Sequence, residues 1–260
     1  MHACVHCKIR RSFNYDSLSL YFGFSMLTIE NEENLVGSLI QRDFGKEINH
    51  LKKMFELFIK SYNFICTHED DLLSKEDYAK WSIFLLFIRN LRILRSAHHS
   101  MLNGYYEVSI AIQRIAFENH LLMYFFMHRP EEAKEWWLGK KYGLRRLKKE
   151  ARKTLSYDEV YGELSQFVHA NVETTRFFWK PKDEETTIWT TDFVPIDFHR
   201  ALIGLSTFGM ATLSIIIPTI FGTNFQEEPL LKEIQELNTL SKQTLKDAFE
   251  KLKKHSKRTM

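Results

Sequence analysis

The sequence predicts an all-α protein, an irregular bundle of about five to seven helices in a single main domain. Three observations lead to this prediction. Apolar residues recur at helical spacing over several long stretches, and helix start and stop signals fall at the ends of these stretches. Only ten glycines and five prolines occur in 260 residues, so no turn-rich run divides the chain. Hydrophobic residues make up 44% of the sequence, which is enough to fill a substantial core.

The chain divides into three predicted parts. We expect residues 1–30 to be a loose N-terminal extension, because Asn14 and Asp16 interrupt an otherwise signal-like beginning. Residues 31–226 form the predicted helical bundle domain. Residues 227–260 are predicted to form a C-terminal amphipathic helix that starts at Pro229 and ends in a basic tail.

The first half of the bundle contains three predicted long helices. Apolar spacing predicts an amphipathic helix over 35–65, a second helix over about 76–98 and a third over about 104–127. Asp77 stands near the start of the second helix, and Pro130 ends the third. The second and third helices are apolar nearly all round, which is typical of helices in the middle of a bundle.

The following segments are less regular. The pattern of residues 131–155 predicts short and more polar helices. Ser156 and Glu159 form a capping box, which predicts that a helix starts there and reaches about residue 178. The segment 180–197 breaks the helical period, and its alternating side chains predict a loop with a short hairpin.

Residues 201–225 contain no charged side chain, and their length reaches the roughly 20 residues that a membrane span needs. Three glycines, several Ser and Thr residues, Pro218 and the lack of a second such stretch favour a buried central helix instead. We therefore favour a core helix without a membrane span, and membrane insertion is the alternative.

The strongest anomaly is a pair of charges on the third predicted helix. Arg114 and Glu118 lie four apart on a face that is otherwise apolar, so they are predicted to point into the core and to pair. Breaking a buried pair by Glu118→Ala is then expected to cost about 3 to 5 kcal/mol. Tyr161, Ser165 and His169, four apart on the 156–178 helix, are the predicted polar partners of this pair.

Two interpretations of this polar cluster are open. It is a structural network that fixes the register of two helices, or it is a site that holds a ligand or catalyses a reaction. In the second case His169 exchanges a proton, Glu118 or Tyr161 orients it, and Arg114 stabilises negative charge on a phosphate or carboxylate.

Two basic clusters are candidates for contact with RNA or with an acidic partner. The second predicted helix carries basic residues at spacing three, followed by two histidines: Arg89, Arg92, Arg95, His98 and His99. The other cluster lies in 140–153 and includes Lys148 and Lys149. A solvated basic helix face is the simpler interpretation of both.

The sequence predicts no cofactor and no metal site. It lacks a P-loop, a dinucleotide fingerprint and the HExxH and GxSxG motifs, and Cys4 with Cys7 forms only a lone CxxC. Three cysteines leave one unpaired in any disulfide scheme, which favours the reducing cytoplasm.

The stretch LRSAHHSMLNGYYEVSIAIQRIAFENHLLMYFFMHRPEEAKEW, followed by YGELSQFVHAN, is similar to a family of all-helical prokaryotic proteins with R-x-x-x-E and Y-x-x-L-S-x-x-V-H motifs. That arrangement resembles the HEPN superfamily of helical bundles, many of which are dimeric, metal-independent RNA-cleaving toxins or antiviral effectors. The resemblance covers about residues 90 to 178.

The HEPN signature is Arg, four to six residues, then His on one helix near the dimer cleft. His169 corresponds to its histidine, and Ser165 stands where an arginine is expected. The resemblance therefore implies a catalytic pair of Arg114 and His169, a possible homodimer and an RNA substrate. Arg92 and His98 have the spacing of the signature but lie on a different helix.

Overall fold

The computed structural model describes residues 26–74, 76–151, 164–165, 180–181, 187–188, 195–222 and 229–256. Within them the chain is an all-α bundle, as predicted. Its helices are α1 (Met26–Thr67), α2 (Glu69–Leu72), α3 (Tyr78–Leu102), α4 (Tyr106–His128), α5 (Pro130–Trp137), α6 (Leu144–Ala151), α7 (Pro195–Ile216) and α8 (Pro229–Ser256). A π-helical turn, Ile217–Phe221, extends α7.

The long helices predicted from periodicity are confirmed as α1, α3, α4 and α8. Most of their ends shift by a few residues, but α1 begins at Met26, nine residues before the predicted start, so residues 26–30 are helical and not part of a loose extension. The hairpin predicted within 180–197 is present as two short antiparallel strands, β1 (Lys180–Pro181) and β2 (Thr187–Ile188). Most of the helix predicted for 156–178 lies outside the described residues. Within that range the structure describes only Leu164 and Ser165, and both are helical.

Local signals account for several helix ends. The Asp77 carboxylate accepts a hydrogen bond from the backbone N–H of Lys80 at 3.0 Å and so caps α3. Pro130 occupies the first turn of α5, where its missing N–H costs nothing. Phe44 has non-helical backbone angles (φ −130°, ψ 25°), so α1 is kinked there.

Helix α7, which carries no charged side chain from residue 201 onward, lies in the middle of the bundle and packs against α1, α3, α4 and α8. Asp197–Phe221 is long and apolar enough to cross a membrane by length and composition alone. An 18-residue stretch within it has a mean hydropathy of 1.8, and 61% of that stretch is buried inside the structure. Phe198, Leu205 and Leu213 are among its fully buried side chains. The bundle therefore covers most of the apolar surface of this helix.

A layer of polar side chains crosses this apolar centre. Asn119 Nδ2 donates to Asn90 Oδ1 at 2.8 Å, and Asn90 Nδ2 donates to Thr212 Oγ1 at 3.1 Å. Thr212 Oγ1 in turn donates to the carbonyl oxygen of Phe208 at 2.7 Å. We call Asn90, Asn119 and Thr212 the polar layer. Because they come from α3, α4 and α7, their hydrogen bonds fix the rotation of three helices relative to one another.

A second buried contact determines how closely α4 approaches α7. Gln113 Nε2 donates to Ser109 Oγ at 3.2 Å and to the carbonyl oxygen of Ala201 at 3.0 Å. A Cβ added to Gly204 would lie 1.9 Å from Gln113 Oε1. The Gln113 amide cannot move away without losing both hydrogen bonds, so the close approach requires glycine at 204.

We expect Gly204→Ala to lower the free energy of unfolding by about 1 to 3 kcal/mol, because it overpacks a fixed amide. Gly209→Ala is the matched control on the same helix. Its Cβ would lie 2.1 Å from Met54 Sδ, but a methionine side chain can change rotamer. Urea unfolding of both variants tests this expectation, and equal losses of stability would contradict it.

Candidate functional site

The Arg114 and Glu118 side chains form the predicted ion pair, with Arg114 Nε 3.1 Å from Glu118 Oε1. The predicted burial is wrong. The Arg114 side chain is 18% exposed and that of Glu118 is 41% exposed, so the pair lies at the surface of α4. The hydrocarbon part of a long arginine side chain can cover apolar surface, which explains why a mostly apolar face accommodates it.

The predicted partners of this pair are only partly visible. Tyr161 and His169 lie outside the described residues. Ser165 is half-buried, and its hydroxyl oxygen has no hydrogen-bond partner in the described part of the chain. The meeting of Arg114, Glu118 and His169 therefore stays a prediction.

We expect Glu118→Ala to cost only about 0.2 to 1 kcal/mol, because an exposed ion pair contributes little to stability. Asn119→Ala is the neighbouring comparison. It leaves the buried Asn90 Oδ1 without its donor, which should cost about 1 to 3 kcal/mol. Thermal or urea unfolding measures both variants. A larger loss for Glu118→Ala than for Asn119→Ala would show that the ion pair is the buried one.

An exposed basic surface lies on α3. Arg89, Arg92, Arg95 and His99 lie at spacings of three and four along one face, and all four are exposed. We call these four residues the arginine ridge. Phe87, Leu94 and Ala97 are buried on the opposite face. Successive arginines of the ridge are about 4.5 Å apart along the helix axis.

The arginine ridge has no acidic partner among the residues that the structure describes. Helix α3 has 25 residues and no aspartate or glutamate. Across the described residues, no carboxylate oxygen lies within 4.0 Å of a ridge arginine or of Lys52, an exposed lysine on the neighbouring α1. The exposed carboxylate of Glu56, one turn after Lys52, forms no ion pair with another described residue. The ridge is therefore a local excess of positive charge.

His98 lies at the edge of the arginine ridge and contributes no positive charge at neutral pH. Its ring packs against Phe55 with centroids 5.3 Å apart. Burial lowers the pKa of His98 to about 4, with smaller effects from Lys52, His99 and Arg95. On a helix, Arg92 and His98 point about 120° apart. The two residues with HEPN-like spacing therefore do not share one face.

The second basic cluster behaves differently because an acidic side chain lies inside it. Glu132 accepts hydrogen bonds from Tyr142 Oη at 2.7 Å, from Lys140 Nζ at 3.2 Å and from Arg146. These bonds, that from Tyr142 first, lower the pKa of Glu132 to about 2. The Arg146 guanidinium also lies over the Tyr142 ring, 5.1 Å from its centroid.

Much of the basic charge in 140–153 is therefore used within the fold. Lys148 is half-buried, and Lys149 is exposed. Arg129 pairs with Glu150 at 3.7 Å, which adds one more ion pair where α5 and α6 meet. The two basic clusters look alike in the sequence, but within the described part of the chain only the arginine ridge lacks acidic partners.

Sequence reasoning did not identify the polar layer. Asn90 and Asn119 are isolated amides on helices that are apolar nearly all round. Such an amide on a buried helix indicates a buried hydrogen-bond partner, and this was the feature of the sequence from which the polar layer could have been predicted. No group of three or more His, Cys, Asp or Glu residues that could hold a metal ion occurs among the described residues. No protein-family model, curated protein or solved structure matches the chain.

Proposed function

We propose that this chain is a helical RNA-binding module, distantly related to HEPN proteins, that contacts the RNA backbone through the arginine ridge. One observation carries the proposal: the ridge presents three arginines and a histidine on a helix without a carboxylate, and no acidic side chain in the described residues pairs with its arginines. Arginine binds phosphate oxygens bidentately, and unpaired arginines do not first have to break an internal ion pair.

The contrast with the second basic cluster supports this choice of surface. Lys140 and Arg146 would have to leave Glu132 before they could bind a phosphate. Arg89, Arg92 and Arg95 give up only hydration, so phosphate binding releases counterions at little cost to the fold. Lys52 extends the positive surface onto α1.

We expect the triple variant Arg89→Gln, Arg92→Gln, Arg95→Gln to bind single-stranded RNA at least tenfold more weakly than wild type in 100 mM salt. Each lost phosphate contact should reduce the slope of log affinity against log salt by about 0.7, so three contacts reduce it by about 2. Fluorescence anisotropy with a labelled oligonucleotide at several salt concentrations measures both quantities.

The control variant removes the same charge from another exposed helix. Lys232, Lys242 and Lys246 are exposed on α8, where acidic residues alternate with them. Their triple change to Gln should alter the salt slope little. Equal effects of the two triple variants would mean that net charge, and not the ridge, determines binding.

A metal-independent ribonuclease is the second candidate function, and the exposure of Glu118 favours it. A nuclease site has to be open to solvent, and the Arg114 and Glu118 pair lies at the surface. In this proposal His169 accepts the proton of the 2′-hydroxyl as its oxygen attacks the adjacent phosphate, and Arg114 stabilises the charge on the phosphate oxygens. The bond from phosphorus to the 5′-oxygen breaks, and the leaving 5′-oxygen takes up a proton, so the products are a 2′,3′-cyclic phosphate and a 5′-hydroxyl. Dimers are part of this proposal, as in HEPN proteins.

The ribonuclease proposal predicts RNA cleavage in the presence of EDTA. His169→Ala and Arg114→Ala should each reduce the cleavage rate at least a hundredfold, because proton transfer and charge stabilisation each contribute on that scale. RNA methylated at the 2′-oxygen should not be cleaved. Cleavage that survives in both folded variants would rule out this pair of residues.

A further inference from the structure

An exposed apolar surface lies beside the arginine ridge, where α1 meets α3. Ile59, Tyr62 and Leu85 are 44%, 38% and 41% exposed. Ile59 and Tyr62 are three apart on α1, and Leu85 lies one turn before Arg89 on α3. We call these three side chains the aromatic shelf. Neither the packing of the bundle nor the proposed contacts with the RNA backbone explain why these three side chains are exposed.

The Tyr62 ring lies at the outer end of a stack of aromatic rings. It stacks on Phe84 with centroids 6.0 Å apart and an interplanar angle of 15°. Phe84 stacks in the same way on Phe87, which stacks on the fully buried Phe58 at 5.0 Å. Four nearly parallel rings therefore lead from the core to the surface, and the outermost is Tyr62. The neighbouring Cys66 side chain raises the pKa of the Tyr62 phenol.

Positive charge lies next to this ring. Against the larger effects of Cys66 and of burial, which raise the pKa of the Tyr62 phenol, the positive charge of Arg92 lowers that pKa. Arg89 follows Leu85 one turn later on α3. A fixed aromatic ring beside unpaired arginines matches the two parts of a nucleotide, since the base stacks on the ring and the phosphate binds the guanidinium. A ring that is already stacked on a neighbouring ring loses less side-chain conformational entropy when a base stacks on its other face.

We propose that the aromatic shelf stacks an unpaired base while Arg89 and Arg92 hold the flanking phosphates, so that the chain selects single-stranded over double-stranded RNA. This inference rests on the proposed RNA binding by the arginine ridge. In a duplex the bases are stacked on one another and their faces are closed, so a duplex offers the ridge its phosphates but offers nothing to Tyr62.

Two other occupants of the shelf fit the charges and the area less well. A second copy of the chain would bring its own arginine ridge close to this one, and like charges would repel. Three exposed apolar side chains are also far smaller than the roughly 800 Å² per partner of a stable protein interface. An anionic lipid surface matches the charge, and it is included as an outcome of the test.

The test compares one RNA sequence as a single strand and as a duplex, at one salt concentration, by fluorescence anisotropy. We expect wild type to bind the single strand about tenfold more tightly than the duplex. Tyr62→Leu should weaken single-strand binding about tenfold and leave duplex binding unchanged. Tyr62→Phe keeps the ring and should retain the preference. Circular dichroism and the melting temperature verify that both variants are folded.

The possible failures are distinguishable. In one outcome, Tyr62→Leu leaves single-strand binding unchanged while the Arg89, Arg92 and Arg95 triple variant weakens it. That result would overturn base stacking on the shelf and support phosphate binding by the ridge. If wild type binds neither RNA, the proposed function fails and the shelf fails with it. Binding to phosphatidylserine vesicles that depends on Tyr62, without RNA binding, would overturn both in favour of a lipid surface.

Discussion

The hydrogen bond between Asn119 and Asn90 is the constraint on which the rest of this bundle depends. Both amides are buried among apolar side chains, where an unsatisfied polar group is costly, so α3 and α4 are held in the rotation that lets the amides meet. Thr212 extends the same constraint to α7. Apolar contacts alone would tolerate several rotations of such helices, because their apolar surfaces extend nearly all round.

Fixing the rotation of α3 also decides what the helix presents to solvent. With Asn90 directed inwards, Arg89, Arg92 and Arg95 lie on the outer side, and Phe84 and Phe87 turn towards the rings of α1. The same rotation therefore creates both the arginine ridge and the ring stack that ends at Tyr62. The corner between α5 and α6 has the opposite character, because Glu132 binds the basic groups around it.

The sequence predicts the helices well because their signals are local. Apolar periodicity defines α1, α3, α4 and α8, Asp77 marks the start of α3, and Pro130 marks the end of α4. The facing of Arg114 and Glu118 was predicted less well, since a helix that is apolar nearly all round does not reveal which stripe is outermost. The partners of Asn90 and Glu132 depend on contacts between distant segments, which spacing does not encode.

In the proposed function the arginine ridge, and not the 140–153 cluster, contacts RNA. Arginine footprinting tests it most directly: a dicarbonyl reagent modifies accessible guanidinium groups with and without bound RNA, and mass spectrometry locates the modified residues. We expect RNA to protect Arg89, Arg92 and Arg95 and to leave the exposed Arg145 reactive. Protection of Arg145 with continued modification of the three ridge arginines would contradict the account.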